Sequence, residues 1–170
     1  MFVSVVLAGY VSGVACLDNH LYLVCRLSNS IHVFTPDMSK EIHVITIEGM
    51  RFPLNIIACS KDRLLYVADS GNTPGEECIW QVSAASSGHY VKWLDIGSSN
   101  VQTLSLRSPS LLLTSPSSLR QYRTSDAQLT RVVVPPNYIK YLHHGVETER
   151  GTFVVGHRGT EKSDVRTAVS

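Results

Sequence analysis

The chain lacks most of the features that announce a function. No apolar run approaches the roughly 20 residues of a membrane span, which argues against a membrane-embedded protein. Neither sign of charge dominates: fifteen Lys and Arg stand against fourteen Asp and Glu, so there is no general pull toward nucleic acid or an anionic membrane. Four cysteines are present, Cys16, Cys25, Cys59 and Cys78, and none forms a CxxC pair. That excludes a zinc knuckle and a thioredoxin-type motif. A disulfide framework does not suit a chain that is 44% hydrophobic, and a reducing, cytoplasmic setting is the expectation. No Gly-x-Ser-x-Gly elbow and no glycine-rich phosphate loop occur. No stretch sustains a 3.6-residue apolar period, so almost no helix is expected. The opening, MFVSVVLAGYVSGVAC, has no positively charged start, and Tyr10, Val11 and Ser12 make a poor cleavage site. It reads as a leading strand over 1–11 with a turn at Ala8-Gly9, not as a secretory signal.

What the chain does have is self-similarity. Its 170 residues suffice for one sizeable core. The stretch VSGVACLDNHLYLVCRLSNSIHVF aligns with LNIIACSKDRLLYVADSGNTPGEECIWQV at 54–82. Ala15-Cys16 matches Ala58-Cys59, Leu21-Tyr22-Leu23-Val24 matches Leu65-Tyr66-Val67-Ala68, and Ile31-His32-Val33-Phe34 answers Ile79-Trp80-Gln81-Val82. Polar turns fall between them, at Asp18-Asn19 and Lys61-Asp62 and again at Ser28-Asn29 and Ser70-Gly71-Asn72. A fourth strand follows each copy, IHVITI at 42–47 and YVKWLDI at 90–96. A fainter third copy runs through VQTLSL, SLLLT, SLRQY and LTRVVV, and a fourth begins with HHGVE and TFVVG. The period is about 42 to 46 residues with four short strands per unit, the size of a propeller blade. The expected organisation is a leading strand over 1–11 and blades over 12–50, 51–98 and 99–136. A half blade over 137–160 and a disordered tail over 161–170 follow.

The pattern LYVADSGN followed by CIWQV resembles the NHL repeat, a blade motif reading apolar-Tyr-Val-Ala-Asp-x-x-Asn and then Ile-x-Val. LYLVCRLSNSIHVF looks like a second copy with Cys25 in place of the motif's Asp, and LLLTSPSSLRQY has lost both Asp and Asn. The resemblance implies an all-β chain, a β-propeller arc of four-stranded antiparallel blades. NHL-type propellers close with about six blades, so an incomplete ring is implied, with open edges that invite self-association. It also implies a binding function with no cofactor. The expected partner is a protein, as for NHL domains at the end of scaffold or ubiquitin-ligase chains, and single-stranded RNA is the alternative.

Chemistry-bearing residues are few. Asp69 and Asn72 fall at a turn, where such side chains bond nearby backbone, so a structural role is expected. A sugar-lactonase-type hydrolase, which the fold also resembles, would need several oxygen ligands converging on a metal. The inner strands offer Asn55, Gln102, His144 and Glu147, only one of them a carboxylate. His143 and His144 are adjacent in a strand and point to opposite faces, and His157 stands apart. Cys16 and Cys59 read as small buried packing residues. Charge is distributed unevenly. Residues 1–100 carry six Lys and Arg against nine Asp and Glu, while 101–170 carry nine against five. The basic half supplies the candidate partner surface: Arg107, Arg120, Arg123, Arg131, Arg150 and Arg158. Arginine pairs with phosphate and stacks on bases, and Tyr122, Tyr138 and Tyr141 are the aromatic residues near these arginines.

Overall fold

The computed structural model describes residues 9–85 and 88–158, and the backbone of 164–169. Most of the expected leading strand, residues 1–8, lies outside the described residues, as do 161–163 of the expected tail. Among the described residues there are fifteen strands and no helix, hence none long and apolar enough to cross a membrane.

The strands form four antiparallel sheets, each taking its strands in sequence order. The first holds β1 (Val11–Leu17), β2 (His20–Cys25), β3 (Ser30–Phe34) and β4 (Glu41–Thr46). The second holds β5 (Pro53–Cys59), β6 (Leu64–Asp69), β7 (Glu77–Ser83) and β8 (Tyr90–Gly97). The third holds β9 (Thr103–Arg107), β10 (Ser110–Ser115), β11 (Ser118–Arg123) and β12 (Leu129–Val133). The fourth holds β13 (Lys140–Glu147), β14 (Phe153–Arg158) and β15 (Asp164–Val169). The last strand corrects the sequence reading. Residues 164–169 do not form a disordered tail but pair with β14 from Phe153↔Val169 to Arg158↔Asp164, which gives the expected half unit a third strand.

Turn chemistry sets the hairpins. Leu17 pairs with His20, leaving Asp18 and Asn19 as a two-residue loop at φ +48° and +59°. Positive φ at both positions matches the right-handed twist of the flanking strands, and Asp and Asn tolerate it. The chain packs as two compact units, Met1–Ser98 and Ser99–Ser170.

In the first unit the alternation of β1 to β3 turns Ala15, Tyr22, Val24, Ile31 and Val33 into one core with Ile56, Leu65, Val67, Trp80 and Val82. Each valine, leucine or isoleucine among them contributes about 1.5–3 kcal/mol by its burial. In the second unit Leu112 and Leu119 pack with Leu142, Phe153 and Val155.

Candidate functional site

A cavity of about 370 Å³ in the first unit is lined by Gly49, Arg51, Asp69, Gly71, Asn72, Glu76, Cys78, Trp80 and Lys92. Its chemistry is already occupied by the protein itself. Asp69 ends β6 and is 1% exposed. Its carboxylate accepts the backbone N–H of Arg51 at 3.0 Å, of Phe52 at 2.7 Å and of Gly71 at 3.1 Å, and the Trp80 indole N–H at 3.1 Å. These donors fill its lone pairs, so it serves as the tie between the start of β5, the turn after β6 and the core tryptophan. Asn72 gives its backbone N–H to Glu76 Oε2 at 3.0 Å, and Thr73 does the same at 3.2 Å. Those bonds hold the Glu76 carboxyl below its usual range. Lys92 is paired with Asp95.

The thiols follow burial. All four cysteines are free. Burial, with the Asp69 charge beside it, pushes the Cys78 thiol up to about 12. Burial also raises Cys25 and Cys59, and Cys59 Sγ donates to Asp62 at 3.3 Å. Cys16 departs from the expectation of a buried packing residue: it is exposed, on the same face of β1 as Val14, which is 54% exposed. The expected result with an aromatic disulfide reagent at about pH 8 is one fast-reacting thiol in the native chain and four in urea, since only the thiolate attacks. Loss of the fast phase in Cys16→Ser assigns it. A second fast thiol would contradict this burial pattern.

Arg107, Arg120, Arg123 and Arg131 occupy both faces of the third sheet. Register places Arg107, Ser110 and Arg123 in one row and Ser105, Leu112, Gln121 and Arg131 in the next, on a common face. Arg120 lies on the opposite face, where Nη1 donates to Ser99 Oγ at 2.7 Å. Arg107 donates to the Glu149 carbonyl at 3.3 Å and approaches Glu147 at 3.8 Å. Arg131 donates to the Gly151 carbonyl at 3.1 Å, its guanidinium 4.8 Å from the Phe153 ring centre. Gln121 Nε2 donates to Glu147 Oε2 at 2.9 Å. Together these bonds fasten the third sheet to the β13–β14 hairpin. Arg123 pairs with Asp126 at 2.8 Å, and Arg150 and Arg158 are exposed.

Of the residues considered for a metal, Glu147 is engaged as above, and His144 Nδ1 lies 3.2 Å from Thr103 Oγ1. His157 is buried at 5% exposure while His143 and His144 are exposed. Among the described residues no group of three or more His, Cys, Asp or Glu is arranged to hold a metal ion.

The second unit also exposes apolar and aromatic side chains, the Tyr138 and Tyr141 named above among them. Leu129, Val132, Val134, Tyr138 and Tyr141 are 47, 50, 73, 68 and 61% exposed. Beside them a cavity of about 300 Å³ is lined by Pro116, Ser117, Val134, Pro135, Asn137, Ile139, Lys140 and Tyr141. Tyr141 sits at φ +55°, where the register of β13 skips between Lys140 and Leu142. A bulky side chain in the left-handed region costs about 1–2 kcal/mol, and a bulge re-aims the side chain it carries. The signal in the sequence was VVVPPNYIKY, an apolar run without a carboxylate beside two exposed tyrosines.

No protein-family model matches the chain, and no curated protein matches it. Among solved structures it is similar to the computationally designed Ika4 protein, with a TM-score of 0.66 at 10% sequence identity. The likeness covers 95% of this chain and 91% of that one, and at this identity it speaks for the fold alone.

Proposed function

We propose that this chain is a non-catalytic binding module whose sheets are β-propeller blades of NHL type, and that it holds a protein partner. The repeated four-stranded sheets and the matched positions around Leu21–Val24 and Leu65–Ala68 support the blade reading. Cys25, Asp69 and Ser115 each end the second strand of a sheet.

The observation that carries the function is Tyr141. Tyr141 stands at positive φ in a bulge, is 61% exposed and lines an apolar cavity. An exposed tyrosine beside an apolar concavity fits the enrichment of tyrosine in protein-binding hot spots. RNA binding finds less support, because Arg107, Arg120, Arg123 and Arg131 are all bonded to groups of the chain itself.

Tyr141→Gly is the test. Glycine accepts the positive φ, and the relief of about 1 kcal/mol there offsets the freedom glycine adds to the unfolded chain, so the variant is expected to melt close to the parent. Its capture of protein partners from a nuclease-treated lysate is expected to fall at least about tenfold, as for a hot-spot residue. Undiminished capture, or capture that nuclease abolishes in the parent, overturns the reading.

A further inference from the structure

We infer that the partner contributes an extended segment of alternating acidic and apolar residues, which adds to the third sheet as a fifth strand along β12 and places one apolar side chain in the cavity beside Tyr141. This rests on the protein-binding reading above and specifies its mode.

Three observations converge on this edge. First, β12 ends its sheet: its hydrogen-bonded neighbour is β11, and its other edge has no partner strand among the described residues. Unpaired backbone groups in a row are a template for another chain. Second, β12 is more exposed than the other outer strands of the four-stranded sheets. β4 buries Ile45 and β8 buries Ile96, whereas no residue of β12 is fully buried. Its apolar content therefore serves a surface more than a core. Val134 follows directly on β12 and also lines the cavity, so a segment running along the strand arrives at the cavity within a residue or two.

Third, charge selects the occupant. Residues 127–146 contain Arg131, Lys140, His143 and His144 and no carboxylate. Lys140 lines the cavity itself. Asp126 and Glu147 flank this stretch but are engaged with Arg123 and Gln121, and Arg131 is held by the Gly151 carbonyl, so Lys140 at the cavity is the charge that favours a segment bearing carboxylates over a basic one. A second copy of this chain is a poorer occupant. Symmetric antiparallel pairing of β12 centres on Arg131 and sets two like charges opposite each other, which is destabilising in a sheet.

The experiment uses ten-residue fluorescent peptides of alternating valine and glutamate, and the same peptides with lysine for glutamate, titrated against the whole chain by anisotropy at low salt. The acidic peptide is expected to bind at least about tenfold tighter than the basic one, and Lys140→Glu to weaken it about fivefold. Strand addition uses every second amide of the added strand. N-methylation of alternate residues in one register is therefore expected to abolish binding, while the other register stays within about twofold. Equal binding by both registers, equal binding of the basic peptide, or no binding of the acidic peptide overturns strand addition. The protein-binding reading then still stands or falls by the Tyr141→Gly capture. A dimer seen by light scattering and dissolved by Val132→Glu would give the edge to a second copy and overturn the proposal.

Discussion

Asp69→Ala is expected to lower the stability of the first unit by about 3–5 kcal/mol, the cost of leaving several buried donors unpaired. The carboxylate is 1% exposed and receives four N–H groups between 2.7 and 3.1 Å. Three come from backbone that no side-chain change can remove, and the fourth is the Trp80 indole, itself only 8% exposed. Alanine removes the common acceptor of all four donors, and water entering the adjoining cavity cannot reproduce four bonds converging on one carboxylate. Asn is the informative second variant. It has nearly the same shape but turns an N–H₂ toward other N–H groups, so it recovers less than half of the loss. The readout is clean because the two tryptophans, Trp80 and Trp93, both lie in the first unit. Urea unfolding followed by indole emission therefore reports that unit. A loss under about 1 kcal/mol would mean that Asp69 is a solvated turn residue after all, and its assignment as a structural tie would be withdrawn.

The ease with which parts of this fold are read from sequence follows from where each residue finds its partner. The strands of the first two sheets are legible because both the alternation and the turn residues are local. Asp18-Asn19 closes a hairpin whose strands are contiguous, and Leu21–Val24 and Leu65–Ala68 are matched apolar runs. Asp69 is legible as a turn residue through its bond to Gly71 two residues on. Its bonds to Arg51 and Phe52 are not, since they return across a whole hairpin.

The arginines are harder still. Arg107 and Arg131 are held by the carbonyls of Glu149 and Gly151, and a backbone acceptor leaves no mark in composition. Both side chains remain exposed, so what composition does not reveal is that two of these surface arginines are also held by backbone. Cys16 and Cys59 occupy matched positions, yet one is exposed and the other buried. The repeat fixes which face a residue takes, and whether that face is covered depends on what packs there. Tyr141 is legible as an aromatic residue of the basic half, but the bulge that sets it is not, because the register skips on both sides of Leu142 and the strand alternation is lost there. The pairing of 164–169 with β14 is not legible because it is made by backbone, which the mixed stretch DVRTAV supplies without a clear alternation.

Gly13→Ala is expected to destabilise the first unit by about 3 kcal/mol, at the upper end for overpacking. A Cβ on Gly13 would lie 2.8 Å from the Ile56 backbone nitrogen and 3.1 Å from the Asn55 Cα. Those are main-chain atoms of β5, so no rotamer change relieves the clash, and β1 and β5 must move apart. Separation also breaks the bond from Ser12 Oγ to the Pro53 carbonyl, 2.7 Å, which spans the same two strands. Gly145 supplies the control within the same chain. There an added Cβ meets Leu119 Cδ2 at 2.8 Å and Thr114 Oγ1 at 2.9 Å. Both are side-chain atoms, and the leucine methyl can swing aside, so Gly145→Ala is expected to cost only about 1 kcal/mol. Neither glycine sits at positive φ, so backbone strain does not confuse the comparison. Gly13→Ala and Gly145→Ala are compared by urea unfolding, with indole emission for the first and circular dichroism for the second. If Gly13→Ala proves the milder change, β1 and β5 yield more readily than backbone contact permits. The close approach would then be a consequence of the packing around it, and the buried rows of Val24, Ile31 and Ile56 would be what sets the distance between the two sheets.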